Sequence, residues 1–350
     1  MAVASGASAG AAPSGPAPRR ALGATAFGFG RRLLTLREGS IIVVTLITFA
    51  YFAITVNNFV TLDSFKTLLP YFAPIAIMAA GEVFVMIDGE IDLSVGAMWL
   101  FIPFVYYKLD NAGLPLIPSL ILALVIAAGI GVINGMFVAI IGISSFVATL
   151  GTLFVLDGLT LVISHATQVT TPGSSLGHLG KFAEVFGAGT YSELIWAVGL
   201  IILLQIVLSF TRWGIYTIAT GGNRLGASEA GVDVRLNLIR NFALVAVLAG
   251  FVGILESVRV TTSTPDPSAS NDILFQAISA AVIGGTLLQG GSGTVVGALI
   301  GALFLGILHD GLVLKGVSAN YLNLYLGIAI LIAMTINTYV ARVRTGSGRG

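Results

Sequence analysis

Apolar runs of close to membrane-crossing length recur from Ser40 almost to the C-terminus, and they constrain this chain more than any other feature. Crossing the hydrocarbon core of a bilayer takes about 20 mainly apolar residues. There the backbone has no water to bond, so a crossing run closes its own hydrogen bonds as a helix. By this measure the chain holds about ten candidate spans: 40–57, 68–87, 95–109, 118–141, 144–163, 194–210, 241–260, 275–288, 295–314 and 321–340. The third and eighth are short, which suits tilted, broken or partial spans. With 56% hydrophobic and 9% charged residues, where a soluble domain carries about 25% charge, the expected class is an all-α integral membrane protein.

Charge sets the expected orientation. Arg19, Arg20, Arg31, Arg32 and Arg37 precede the first span. Arg212, Arg224, Arg235 and Arg240 sit in a middle loop, and Arg342, Arg344 and Arg349 follow the last span. Only Arg259 falls elsewhere. Short cytoplasmic loops carry the excess of positive charge, so both termini and the middle loop are expected in the cytoplasm. The expected organisation is a disordered cytoplasmic tail over 1–38, a transmembrane domain over 39–341 and a cytoplasmic tail over 342–350. The first tail is rich in Ala, Gly, Ser and Pro and lacks a signal-peptide core; its arginines and few acids also suit an organelle transit peptide. Two polar loops, 165–193 and 261–272, then face outside, as simple connections or as a docking surface offering Lys181, Glu184, Arg259, Asp266 and Asp272.

Small residues recur at four-residue spacing: Ala127, Gly131 and Gly135; Ala277, Ala281 and Gly285; Gly293, Gly297 and Gly301. Residues four apart share a helix face, so each row lets a neighbouring backbone come close. Glycines also cluster at Gly284-Gly285 and Gly290-Gly291-Ser292-Gly293. That cluster is either a tight turn or unwound backbone inside the protein. Val95-Gly96-Ala97-Met98 parallels Val296-Gly297-Ala298-Leu299, a short echo of internal duplication.

Catalysis finds little support. Gly180-Lys181 lacks the first glycine of a phosphate loop, Ser175 standing there, and Phe182 follows in place of Ser or Thr. There is no cysteine, and His165, His178 and His309 lie far apart, so no metal site and no cofactor is expected. Three carboxylates, Asp88, Glu90 and Asp92, interrupt an apolar stretch. They form either a solvated turn or a working site, because acids within a membrane segment are costly. Asp92 is placed to accept N–H bonds at the start of the third span, with Ser94 as a cap. Glu82 and Asp157 stand alone in apolar runs and are expected to face the bundle interior. The segment 222–232 reads as a short helix, with Asn223 as N-cap and Gly231 as its stop. Leu225, Glu229 and Val232 fall near one face, suited to a partner's groove or to a membrane surface.

Three of these segments together resemble the membrane permeases of ribose-type ABC sugar importers. Gly89-Glu90-Ile91-Asp92-Leu93-Ser94-Val95-Gly96 is similar to that family's Gly-Gly-Ile-Asp-Leu-Ser-Val-Gly signature. Gly222-Asn223 through Ala230-Gly231-Val232 resembles its cytoplasmic loop. Gly284-Gly285-Thr286 through Gly290, Gly291, Gly293 and Gly297 resembles its Gly-Gly-Thr…Gly-Gly-x-Gly run. The resemblance implies a non-enzymatic transport subunit in the inner or plasma membrane. It pairs with a second permease copy, a cytoplasmic ATPase that binds the ATP, and an extracytoplasmic protein delivering a monosaccharide such as a pentose, hexose or related polyol. It assigns the pathway-side signature to Asp92, Leu93, Ser94, Gly96, Gly284, Gly285, Gly290, Gly291 and Gly293, and the ATPase-coupling helix to Asn223, Arg224, Leu225, Glu229, Ala230 and Gly231. Trp99, Asn134, Gln205 and Gln276 are candidates to touch substrate. The chain departs from the pattern at Glu90, where the family has Gly, at the added Asp88, and at His309-Asp310. The competing readings are an ion-gradient-driven transporter using Asp88, Glu90 and Asp92, and a membrane scaffold.

Overall fold

The computed structural model describes residues 38–174 and 180–346, excluding the side chains of 333 and 336–346. The first-tail arginines, Ser175, His178 and Arg349 lie outside the described residues, as do the side chains of Arg342 and Arg344. The described chain is almost wholly helical. In order it forms α1 (Gly39–Thr55), α2 (Leu62–Ile87), α3 (Val95–Asn111), α4 (Leu116–Met136, continued by a π turn over Phe137–Ile141) and α5 (Ser145–Ser164). After strand β1 (Val169–Thr170) come a single turn, α6 (Gly180–Ala183), then α7 (Ser192–Phe210), α8 (Arg212–Gly222) and α9 (Arg224–Glu229). α10 (Val234–Val260), strand β2 (Thr262–Ser263), α11 (Pro267–Ile283), α12 (Val295–Leu314) and α13 (Ala319–Gly346) complete the chain. Among the described residues, six of these, α2, α4 with its π turn, α5, α7, α10 and α12, are long and apolar enough to cross a membrane.

The helix starts follow local chemistry. Thr61, Asp233, Asp266 and Thr294 each precede a helix and accept a backbone N–H of its first turn through a side-chain oxygen, relieving donors that a helix N-terminus leaves unpaired. Several helices extend past the edges of their apolar runs. α10 begins at Val234 rather than 241, because its first turn is polar but capped. α11 occupies Pro267–Ile283 rather than 275–288, with proline at its start, where a missing N–H costs nothing. Much of the segment 261–272 is therefore strand and helix.

α2 and α10 form the buried centre; α4, α5 and α7 keep most of their apolar surface exposed. The most extensive interface is between α4 and α10. Its cause is the Ala127, Gly131, Gly135 row: a Cβ at Gly131 would meet the Phe242 carbonyl at 2.5 Å, and one at Gly135 the Ile239 Cα at 2.6 Å. The row at Gly297 and Gly301 faces α11 in the same manner, against the carbonyls of Gly284 and Ala280. Gly285 and Gly293 lie outside the helices, so those two small-residue rows are shorter than their spacing suggested. At the end of the bundle away from α9, β1 and β2 pair antiparallel, Val169 opposite Ser263 and Thr170 opposite Thr262, and so join the segments that follow α5 and α10.

Candidate functional site

The three glycine-bearing segments, distant in sequence, meet at one carbonyl. Gly291 N–H donates to the Ile87 carbonyl at 2.7 Å. Gly221, at the end of α8, lies against the same carbonyl so closely that any Cβ there would overlap the oxygen. Gly89, Gly290 and Gly291 adopt positive φ of 80°, 87° and 76°, a region L side chains rarely occupy. Gly290 packs on the backbone of Gly89. The loops 88–94 and 284–294, with the α8–α9 corner, thus form a joint built from main chain.

The 88–94 segment is unwound backbone running inside the bundle. Its N–H groups are met by hydroxyls of one α5 face: Ile91 N–H donates to Ser145 Oγ at 3.3 Å and Leu93 N–H to Thr149 Oγ1 at 2.9 Å. Buried non-helical backbone persists only when protein satisfies its polar groups. Asp92 is fully buried, and its Oδ1 accepts both the N–H and the hydroxyl of Ser94, at 2.8 and 2.6 Å. Ser94 does not cap α3 with its own oxygen, because that oxygen accepts Asn134 Nδ2 at 2.9 Å. Thr152 donates to Asn134 Oδ1 at 2.6 Å. Asn134, a candidate for substrate contact, is therefore enclosed in this network.

The three acids do not converge on one ligand. Asp88 accepts from Asn241 at 2.6 Å and from Asn237 at 3.1 Å. Glu90 accepts from Arg224 at 2.6 Å, and the same nitrogen reaches the Asp88 carbonyl at 2.7 Å. Asp92 holds Ser94. Among the described residues no group of three or more His, Asp or Glu side chains could hold a metal ion. Glu82 and Asp157 are buried as expected; Asp157 accepts from Ser270, while neither Glu82 oxygen has a hydrogen-bond partner.

α9 runs Arg224–Glu229, with Asn223 Oδ1 accepting from Gly226 N–H at 3.0 Å and Gly231 at φ 87° beyond its end. Leu225 is 71% exposed, and Glu229, Ala230 and Gly231 are exposed beside it.

Towards the clasped end, two cavities of about 360 and 200 Å³ adjoin and share Trp99, Glu256 and Ala269. Trp99 and Gln276, both expected near substrate, line the smaller one with Tyr71 and Asp272. Gln205 instead accepts from the Val296 N–H at the start of α12. Arg259 turns inward, donating to Glu193 at 3.1 Å and Glu256 at 3.2 Å, so it is not an open docking contact. Sequence reading missed Glu256, Tyr71, Ser145, Thr149, Asn237 and Asn241 as site residues. The polar pairs Ser145/Thr149 and Asn237/Asn241 do carry a signal: each is four residues apart on one helix face.

Residues 64–334 match a family of permease components of branched-chain amino acid transport systems. A xylose/arabinose import permease of Sulfolobus acidocaldarius is 34% identical over 87% of this chain and 86% of its own length. A ribose import permease of Escherichia coli K12 is 33% identical over 88% of this chain and 97% of its own. A D-allose permease of the same strain is 28% identical over 87% and 93%. No solved structure matches at a significant level. The match takes in every long helix from α2 to α12 and all three segments of the joint, and the chain belongs to this family of membrane permease components, transport subunits rather than enzymes.

Proposed function

We propose that this chain is the translocating subunit of an ATP-driven importer for a monosaccharide, working as a dimer of permeases. An extracytoplasmic binding protein delivers the sugar, and a separate cytoplasmic ATPase binds and hydrolyses the ATP. The observation that carries this reading is the main-chain joint at Ile87, where the α8–α9 corner abuts the unwound loop entering α3. A push on α9 reaches that loop without passing through a flexible side chain. α9, with exposed Leu225 and Glu229, is the piece that docks in the ATPase. The sugars for which the relatives are named, ribose, xylose/arabinose and allose, support a pentose or hexose.

The full topology has about ten spans, with α1, α3, α11 and α13 added to the six, and with both termini cytoplasmic. The arginine distribution supports that orientation. So does Glu38 at the head of α1, which accepts from Thr294 at 2.8 Å and so lies beside the joint. The transmembrane domain then spans 39–341 between two tails.

The test is affinity purification of the tagged chain from its host, with its ATPase and binding protein reconstituted into proteoliposomes. Uptake of radiolabelled D-ribose or D-xylose should require all three components and ATP. Uptake by the permease alone on a proton or sodium gradient would overturn the reading and return attention to Asp88, Glu90 and Asp92.

A further inference from the structure

The paired cavities near the clasped end have a definite chemistry. Their volume is within the range of about 300–1,000 Å³ usual for small-ligand sites. Trp99, Pro103 and Phe104 give an apolar wall; Ser257, Thr262 and Thr264 give hydroxyls. Glu256 stands where the cavities join, held by the Trp99 indole N–H at 3.1 Å and by Arg259. Asp266 lines the larger cavity and Asp272 the smaller. The Tyr71 hydroxyl, within electrostatic reach of Asp272 and beside Gln276, is shut off from solvent and completes no hydrogen bond of good geometry.

The balance of charge is one-sided. Among the described residues no lysine or arginine lines either cavity. Arg259, the neighbouring cation, is already engaged by both Glu193 and Glu256. Carboxylates accept hydrogen bonds and donate none, so such a lining suits a molecule that presents many donors. A hydroxyl-rich molecule does this, and its C–H face can lie on the indole. An anion entering the same space meets three acids, of which Glu256 shares Arg259 with Glu193 while Asp266 and Asp272 have no cation beside them among the described residues.

We infer that these joined cavities hold the substrate during passage, and that Glu256, Asp266 and Asp272 make the site select an uncharged, hydroxyl-rich molecule and reject its anionic relatives, such as sugar acids and sugar phosphates. The substrate part rests on the monosaccharide-importer reading; the charge selection rests on the cavity itself. Trp99 serves as the ring that orients the molecule.

The chain contains no cysteine, so one introduced thiol reports on one place. Ala269→Cys puts that thiol where the cavities meet; Thr264→Cys, at an exposed position on the larger cavity, serves if the first variant fails to assemble. In the reconstituted importer, a cationic methanethiosulfonate should label the thiol about tenfold faster than an anionic one of similar size, since a cleft lined by one sign concentrates the opposite ion. Adding Glu256→Gln and Asp272→Asn should bring the two rates within about threefold. D-ribose or D-xylose, whichever the importer carries, should slow labelling, and D-ribonate at equal concentration should not. Equal rates for the two reagents would overturn the charge selection, whatever sugar is carried. Absence of protection by a sugar that the same vesicles take up would overturn the substrate site and leave the importer reading standing. Failure of ATP-driven uptake of either sugar would count against the importer reading, while the reagent ratio would still decide the cavity's selectivity.

Discussion

One nitrogen of Arg224 donates to the Glu90 carboxylate at 2.6 Å and to the Asp88 carbonyl at 2.7 Å, linking the first residue of α9 to the unwound segment before α3. This side-chain contact is an addition to the main-chain joint. The Arg224 side chain is 45% exposed, and an ion pair of that kind contributes less than about 1 kcal/mol to stability. Arg224→Gln and Glu90→Gln should therefore leave the melting temperature in detergent nearly unchanged. Each should lower ATP-driven uptake, and the double variant should be no worse than the poorer single one. Additive losses would mean that the two residues act separately.

Gly221 and Gly222 are adjacent yet differ in surroundings. A methyl at 221 overlaps the Ile87 carbonyl oxygen, whereas one at 222 meets nothing within 4 Å. Overpacking against backbone cannot be relieved by turning a side chain, so Gly221→Ala should cost upward of about 3 kcal/mol. Gly222→Ala should be close to neutral. Thermal unfolding of the two purified variants side by side checks the contrast.

Thr149 and Ser145 both serve unwound backbone, but Thr149 makes the shorter bond, 2.9 Å against 3.3 Å. Thr149→Val keeps the shape and leaves the Leu93 N–H without a partner, which should cost about 1–3 kcal/mol. Ser145→Ala should cost less. Hydrogen exchange at Leu93 should rise in the first variant and change little in the second.

Leu225 is exposed on α9. Leu225→Asp should alter stability by no more than about 0.5 kcal/mol, as is usual for exposed positions. If α9 enters a groove on the ATPase, co-purification of that partner should fall sharply. Retention of the partner at wild-type yield would remove α9 from the docking surface.

The sequence made the helices legible because burial in a bilayer demands long apolar runs, and the positions of Asn223 and Gly231 made α9 legible because capping is local. What stayed hidden was tertiary. Nothing near Glu90 in the chain announces Arg224, 134 residues away. Asp88, Glu90 and Asp92 looked like one site because they alternate in sequence, yet unwound backbone sends each to a different partner. Asn134 looked available for substrate because a lone polar residue in an apolar helix needs a partner; Ser94 and Thr152 supply it. Glu256 sits in an apolar run and gains meaning only when Trp99 is folded against it.

The Ile87 joint and the Trp99–Glu256 cavities differ in how they tolerate change. The cavity wall is made of side chains, so if it holds the cargo its residues can be exchanged one at a time and the preference can shift by single steps. At the joint, carbonyl meets glycine with no side chain between them. No single substitution at Gly221 adjusts that contact; it can only break it. On the importer reading, choice of cargo is therefore open to adjustment by one side chain at a time, and the transmission of force is not.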